Sequence, residues 1–483
     1  MSRVPSIEFR VVGARAVCSE RWEQYFSCSK KQWSPGKRGK RPQFRTELIG
    51  WNNGDGTISV PLPAVLYLAK AGHIIPVFHS LPEAGWRPLD WASALPAGLQ
   101  LRPAQVAALT VASTSRFGNF VVPMAVGKTE VLLCLAEAAR NEGTVLVLAP
   151  SVVTVNNFVD RCAQYGVAGV VSARDWDPGD ESAIVVARGP DLLVEGRVPR
   201  HSPLRPAVTT ILSDEAQSWH QMKWIPLLMG LPRVRRSLSF SATSVTEKEE
   251  GKLLTQMEYK SAYATGGAGR VVYRAPVEES SQYVDMPRLV NLRYQWPVPL
   301  QVAEGVSLPW KWYLKKLESN FERWEALGEV LQTLHRAGRI SVVPLSRKDF
   351  AKRLAEYLPE EDVYLWFGSG EIYHRGRKVK EEQVRGDLRP GVTILATPHL
   401  EKGWNVPAVN TLLLCEGKDF VAITQRSGRV IRKSDVEPVV INFFDNESVF
   451  EYQAQQRQKT LSTYYKRKFR QCSTLRELRA ELA

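Results

Sequence analysis

No apolar run in this 483-residue chain reaches the roughly 18–20 residues that a helix needs to cross a bilayer, so a membrane is not among the expected partners. The first residues, MSRVPSIEFRVVGAR, hold no continuous apolar segment behind their basic residue, and no secretory signal is expected. Cysteine is scarce, six in all, and no C-x-x-C pair occurs. That argues against a zinc ribbon and a disulfide scaffold and fits a reducing cytosol. Histidine is sparse too, and His73 and His79 lack partners at metal-ligand spacing. No nuclease constellation is visible.

Acidic charge is in deficit: 64 Lys and Arg stand against 50 Asp and Glu, a net +14. A surface of that sign attracts polyanions, and nucleic acid is the usual one. The excess gathers in KKQWSPGKRGKRPQFR (30–45), where basic residues alternate with Trp33 and Phe44, and in YYKRKFR (464–470). Lys37, Arg38, Lys40 and Arg41 are candidates to neutralise phosphates, with the interleaved rings stacking on bases. The plain alternative for both stretches is a solvated loop or helix end. A chain this long exceeds one compact core, so two to four domains are expected.

A glycine is also missing where it would decide the chemistry. VVPMAVGKTE (121–130) ends in Gly127-Lys128-Thr129, the close of a phosphate-binding loop. The pattern G-x-x-x-x-G-K-[ST] wants a glycine at 122, and the chain has Val122. The surroundings nevertheless suit such a loop. FGNFVVP (117–123) reads as a short buried strand, and KTEVLLCLAEAARNEG (128–143) places Val131, Leu132, Leu135 and Ala139 on one helical face before Gly143 stops it. A helix N-terminus offers free N–H groups and a positive dipole to phosphate. TVLVLAPS (144–151) reads as a parallel-sheet strand and TVNNFVDRCAQYG (154–166) as a helix, the rhythm of a doubly wound sheet. TTILSDEAQSWH (209–220) is an apolar strand followed by Asp214-Glu215. Asp214 would hold Mg²⁺, and Glu215 would orient and deprotonate an attacking water. A surface turn is the alternative for an Asp-Glu pair standing alone.

With these residues in place the chain resembles the superfamily 2 helicases, and further segments carry the resemblance in order. LRPAQ (101–105) is similar to the segment before the phosphate loop, which puts Arg102 in the nucleotide site and Gln105 on the adenine edge. VLAPS (147–151) resembles motif Ia, with Pro150 and Ser151 against the nucleic-acid backbone. SFSATS (239–244) resembles motif III, in which Ser241, Ala242 and Thr243 couple hydrolysis to strand movement. VVPLS (342–346) is similar to motif IV. ILATPHLEKGWNVPAVNTLLL (394–414) resembles motif V, which assigns Gly403 and Asn405 to the nucleotide and Thr397 and Trp404 to nucleic acid. QRSGRVIR (425–432) resembles motif VI, with Gln425, Arg429 and Arg432 catalytic. The phosphate loop of this superfamily often reads P-T-G-x-G-K-T. Pro123 then matches, Met124 replaces Thr, Ala125 replaces Gly, and Val126, Gly127, Lys128 and Thr129 complete the cradle. Glycine at 122 is not required, and the methyl of Ala125 still permits close approach where φ is negative. Thr129 and Asp214 form the implied Mg²⁺ set.

The second half keeps an α/β rhythm. RISVVPLS (339–346), VYLWFGS (363–369), VTILATP (392–398) and TLLLCEG (411–417) read as strands, KDFAKRLAEYLP (348–359) as a helix, and VEPVVINFFD (436–445) as a last apolar strand. The resemblance implies an α/β fold: two RecA-like parallel-sheet lobes in tandem behind a small α+β N-terminal domain. The implied bounds are 1–95 for an accessory, DNA-binding domain, 96–295 for lobe one and 296–483 for lobe two, with ATP and Mg²⁺ in the cleft between the lobes. Prolines cluster near 285–310, where the connection is expected. NNGDGTISVPLPAVLYLAKAGHIIPV (52–77) and FFDNESVFEYQAQQRQKTLSTYY (443–465) are similar to the flanking segments of UvsW-type and XPB-type DNA helicases. The implied protein is a monomeric, cytoplasmic, DNA-dependent ATPase and helicase of a bacterium or phage-infected cell. It would act on duplex, forked or junction DNA in repair, recombination or replication, beside other proteins of those processes. An RNA helicase stays open, as does a basic nucleic-acid clamp with a vestigial ATP site.

If the motif VI arginines reach the transferred phosphoryl group, Arg429→Ala or Arg432→Ala will lower kcat on the order of 10³-fold with a modest loss of ATP affinity. Steady-state ATPase assays decide this, and normal turnover in both single variants would remove the two-lobe reading of the site.

Overall fold

A computed structural model describes residues 4–12, 15–32, 43–48, 51–62, 65, 68–69, 73–80, 87–123, 126–173, 175–176, 183–188, 191, 207–215, 231, 233–242, 271–276, 285–297, 300, 310–367, 371–397, 408–417 and 436–482. The chain divides into two compact units, Met1–Pro276 and Val277–Ala483.

The first unit opens with β1 (Ser6–Val12), β2 (Arg15–Ser19), β3 (Ser27–Gln32), β4 (Gln43–Leu48), β5 (Trp51–Asn52), β6 (Thr57–Pro61) and β7 (Ile75–Ser80). Five of these make a small mixed sheet in the order β5-β6-β2-β1-β7. β3 and β4 pair separately as an antiparallel hairpin, with Lys30 opposite Arg45 and Lys31 opposite Phe44. Lys37, Arg38, Lys40 and Arg41 lie outside the described residues. β1 alternates cleanly, Ile7, Phe9 and Val11 buried and Ser6, Glu8 and Arg10 exposed, as a strand with one wet face must.

Next come β8 (Phe117–Val121), β9 (Thr144–Leu148), β10 (Val170–Ser172), β11 (Ile184–Ala187), β12 (Val208–Asp214), β13 (Arg236–Ser241) and β14 (Val271–Arg274). They pair in parallel throughout, in the order β10-β11-β9-β12-β13-β8-β14. Val145, Val147, Ile184, Val186, Leu212 and Phe240 face α1 (Pro103–Ser113), α2 (Lys128–Ala139) and α3 (Val152–Gln164) in one buried cluster. Leu146, Leu148, Val185, Ala187 and Ile211 point the other way and share a second cluster with Ile7, Phe9, Ile58 and Val60 of the N-terminal sheet. TVLVL is apolar at nearly every position because both of its faces are covered. Arg236 is 0% exposed and ties three segments together. Its guanidinium donates to the carbonyls of Ser113 (3.0 Å), Ser115 (2.9 Å) and Arg87 (2.8 Å). Burial pulls its pKa down to about 10.

The second unit holds β15 (Arg288–Tyr294), β16 (Ser341–Pro344), β17 (Val363–Trp366), β18 (Ile372–His374), β19 (Arg377–Val379), β20 (Thr393–Ala396), β21 (Thr411–Leu414), β22 (Val439–Asp445) and β23 (Arg470–Cys472). The order is β19-β18-β17-β20-β16-β21-β22-β15-β23, parallel except where β17, β18 and β19 fold back on one another. The helices include α4 (Trp310–Ser319), α5 (Phe321–Arg336), α6 (Lys348–Ala355), α7 (Glu381–Asp387), α8 (Ser448–Tyr465) and α9 (Leu475–Leu482). The architecture is the expected one, two parallel-sheet lobes behind a small N-terminal sheet. Two details differ from the sequence reading. β15 precedes residue 295 yet runs in the second unit's sheet, because Leu289, Val290 and Leu292 register with Val440, Ile441 and Phe443 of β22. β22 is not the last strand, since β23 follows α8 and pairs with β15. Arg470-Gln471-Cys472 has no apolar alternation, so tertiary pairing rather than pattern makes it a strand.

A buried ionic network closes this unit. Arg323 of α5 is 0% exposed. It donates to both carboxylate oxygens of Asp445, from Nε at 2.7 Å and Nη2 at 3.0 Å, and to the Cys415 carbonyl at 2.8 Å. Trp296 Nε1 donates to the same Asp445 at 3.0 Å. Arg457 of α8 donates to Asn442 Oδ1 (2.7 Å) and to the carbonyls of Gly417 (3.0 Å) and Phe443 (2.8 Å). Burial works against the Arg323 charge, but the adjoining Asp445 carboxylate overrides it and raises the guanidinium pKa. Removing one member of such a pair strands the other and costs about 3–5 kcal/mol. Asp445→Asn will therefore lower the urea midpoint of the second unit's unfolding transition, whereas Arg323→Met combined with Asp445→Leu will recover most of the loss. A wild-type midpoint for Asp445→Asn would show that the pair is not what holds α5 to the sheet.

Candidate functional site

Parallel strands end on one edge, and three neighbours matter in the first unit. β8 pairs with β13, and β13 with β12, so the ends of β8 and β12 stand two inter-strand spacings apart, roughly 10 Å. β8 leads into the segment 122–127, β13 delivers Ser241-Ala242, and β12 delivers Asp214-Glu215. The Val122 N–H donates to the Ser241 carbonyl at 2.9 Å and pins the start of that segment. Pro123 and Val126 are buried, while Met124 and Ala125 lie outside the described residues.

Gly127 closes the segment and starts α2. Its φ of 95° and ψ of 59° are left-handed. Conformation therefore favours glycine, and a Cβ there would stand 2.2 Å from Gln105 Nε2 and 2.7 Å from Glu130 Oε2, so the ends of both side chains would have to move aside. Among the described residues no side chain caps α2, which leaves first-turn N–H groups and the positive end of a 12-residue helix for a ligand. Lys128 and Thr129 follow, both half-buried, and Lys128 makes no ion pair among the described residues. This is an arrangement that can receive phosphate.

Gln105 is 3% exposed. Its Oε1 accepts the Arg102 N–H at 2.7 Å and its Nε2 donates to the Gly127 carbonyl at 3.0 Å. The amide expected at the adenine edge is a strut between the start of α1 and the loop, with one N–H and one lone pair left over. Sequence reasoning passed over Glu130, which is 8% exposed. Its Oε1 accepts from Arg161 Nε at 2.9 Å and Nη2 at 2.6 Å, fixing the first turn of α2 to α3. No motif flags a pair split between two helices.

Asp214 ends β12, and its Oδ1 accepts the Glu215 N–H at 2.9 Å. Glu215 has a φ of 50°, left-handed for a residue with a Cβ, at a cost of about 1–2 kcal/mol. Strain of this kind gathers at functional positions. The Thr129 hydroxyl and Asp214 carboxylate are hard oxygen donors that suit Mg²⁺. Ser241 and Ala242 are each 3% exposed. Ser151 caps α3, its Oγ accepting the Thr154 N–H at 3.2 Å, and Pro150 precedes it. Thr397 is buried at 5% exposure and donates its N–H to the Trp366 carbonyl at 2.9 Å. Thr243, Gly403, Trp404, Asn405, Gln425, Arg429 and Arg432 lie outside the described residues.

No protein-family model matches the chain, and no curated protein does. Solved structures do. S. cerevisiae Dbp5 bound to RNA and ADP BeF3 aligns over 83% of this chain and 98% of its own, at 14% identity and a TM-score of 0.53. T4 UvsW aligns over 97% and 99% at 13% identity and a TM-score of 0.37. The Mycobacterium smegmatis helicase Lhr bound to ssDNA and AMP-PNP aligns over 79% of this chain and 50% of its own, at 16% identity and a TM-score of 0.46. At such identity the Dbp5 likeness speaks for fold. This chain shares with that structure a fold of two parallel-sheet lobes in tandem.

Gly127→Ala will destabilise the first unit by about 1–2 kcal/mol through backbone conformation alone, and further through the contact with Gln105. Measured against Gln105→Ala alone, which already loses the strut's two hydrogen bonds, adding Gly127→Ala will cost less than it does in the parent chain, because the nearer contact is gone while the left-handed conformation remains. Urea unfolding of these variants measures both terms, and Gly127→Ala with the wild-type midpoint would contradict this account of the loop.

Proposed function

We propose that the chain is an ATP-dependent DNA helicase or translocase of superfamily 2, acting on duplex or branched DNA in repair, recombination or replication-fork remodelling. Its setting is the cytoplasm of a bacterium or phage-infected cell, and it works as a monomer. One observation supports the ATPase at the centre of this reading. Neighbouring parallel strands bring an uncapped helix start bearing Lys128 and Thr129, the Ser241-Ala242 segment and the strained Asp214-Glu215 pair to one sheet edge. ATP supplies the phosphoanhydride bond that is broken. Lys128 neutralises phosphate charge, and the backbone N–H groups of the loop orient it. Thr129 and Asp214 hold Mg²⁺, and Glu215 takes the proton of the attacking water. Gln105 and Arg102 border the base. Gln425, Arg429 and Arg432, from the second unit, stabilise the charge that builds during transfer. Ser241, Ala242 and Thr243 relay the change to nucleic-acid contacts, among which we count Lys37, Arg38, Lys40, Arg41, Pro150, Ser151, Thr397 and Trp404. Asn405 and Gly403 approach the nucleotide.

Lys128→Ala and Glu215→Gln will each abolish turnover, and Glu215→Gln will keep ATP binding. ATPase rates measured with single-stranded DNA, duplex, four-way junction and RNA then decide the substrate. Stimulation by DNA supports the proposal, and stimulation by RNA alone replaces it with an RNA motor, which the likeness to an RNA-bound structure keeps in view. Tight binding without any hydrolysis by the parent chain would leave a nucleic-acid clamp.

A further inference from the structure

β18 and β19 extend the second unit's sheet beyond its parallel body. β18 pairs antiparallel with β17, and β19 antiparallel with β18. Two residues link them, Arg375 at φ 49° and Gly376 at φ 68°. Two successive positive values define the tight turn whose twist matches a two-residue hairpin, and its first position ordinarily holds Asn, Asp or Gly. Arginine holds that conformation at a cost of about 1–2 kcal/mol, so turn chemistry does not account for it. Packing does not either. Ile372 is 2% exposed and His374 lies edge-on to Tyr364 with centroids 4.3 Å apart, so the hairpin's root is packed. Arg375, Gly376, Arg377, Lys378 and Lys380 are all exposed. Ion pairing occupies one of the four cations: Lys378 Nζ lies 3.2 Å from Glu371 Oε1. Arg375, Arg377 and Lys380 make no ion pair among the described residues.

Two explanations compete for this charge. Charged side chains on an edge strand keep sheets from pairing edge to edge, and either sign serves. Contact with a polyanion needs the positive sign. Arg375 sits in the turn, past the last paired residues His374 and Arg377, where it does nothing to guard the ladder. It favours the second explanation.

We propose that the β18–β19 hairpin and the residue that follows it are a phosphate-backbone contact for nucleic acid, made by Arg375 and Arg377 of the hairpin and by Lys380 at the start of α7. The proposal rests on reading the chain as a nucleic-acid motor. Contacts of this kind fix position and carry no sequence preference. The test measures affinity of the full-length chain for labelled single-stranded DNA, duplex DNA and RNA across a salt series. The variant is Arg375→Glu with Arg377→Glu and Lys380→Glu, which keeps the edge charged and reverses its sign. Three lost contacts will lower the slope of log K against log salt by about 2–3 on duplex and weaken binding on the order of 10²-fold at 0.1 M salt. ATPase activity without nucleic acid will be unchanged. Arg375→Asn, which keeps the turn and relieves its strain, will lose about 0.9 of the slope and melt higher. Wild-type affinity and slope in the triple variant would overturn the proposal. So would an alanine triple variant that self-associates while binding nucleic acid normally, which would assign the charges to edge protection. A parent chain that binds none of the three nucleic acids would remove the motor reading and the hairpin contact together.

Discussion

The hydrogen bond from the Val122 N–H to the Ser241 carbonyl, at 2.9 Å, continues the β8–β13 ladder past the last residue of β8. On the far side of β13, Asp214 registers with Phe240. The distance from the phosphate-type loop to the acidic pair is therefore set by backbone pairing. Burial enforces that register. Phe120 and Phe240 lie directly opposite each other, stack with centroids 4.7 Å apart and face the helix layer. A slip of one residue would turn a whole strand's side chains to the opposite face. The packing of the first unit and the placement of its candidate site are one constraint, and a core substitution at Phe120 or Phe240 is also a change at the site.

The parts of this arrangement legible in sequence were those written locally. Parallel strands covered on both faces appear as continuous apolar runs such as TVLVL and TTIL, and the loop and acidic pair follow such runs directly. Contacts between distant positions left no such mark. Gln105 and Gly127 meet across 22 residues, Glu130 and Arg161 across 31, and Arg323 and Asp445 across 122. The alternation in IEFRV was passed over in the sequence, and nothing in it says which face of the larger sheet the N-terminal sheet covers. EIYHRGRKVK hides its hairpin because Arg-Gly is not the usual signal for a turn with two positive φ values.

Backbone strain separates these cases further. Among the described residues, Glu215, Arg375 and Lys466 have positive φ without being glycine. Lys466 follows the last turn of α8, where a left-handed residue is the ordinary way for a helix to stop. Helix termination therefore accounts for it. Neither Glu215 nor Arg375 ends a helix. Glu215 sits where β12 gives way to the site edge, its N–H held by the preceding carboxylate. Arg375 sits at a hairpin tip that glycine or asparagine would build with less strain. In both, the residue held in the strained conformation is charged, half-buried at the site edge for Glu215 and exposed at the hairpin tip for Arg375.

The same distinction applies to the chain's positive charge. The formal +14 counts every arginine, including some that no ligand can reach. Arg236, Arg323 and Arg457 are at most 1% exposed and hold carbonyl oxygens or Asp445. Burial lowers the pKa of Arg236 and of Arg457 to about 10, which still leaves both protonated near neutrality. They add to the net charge while their donors serve the fold. On the proposed reading, phosphate contact would fall to cations that are exposed and make no ion pair, since those exchange water and counterions for phosphate oxygens. Net charge therefore signals the class of partner, whereas exposure and pairing decide the place of contact. In the second unit, Arg375 and Arg377 meet both conditions at the end of a well-anchored hairpin.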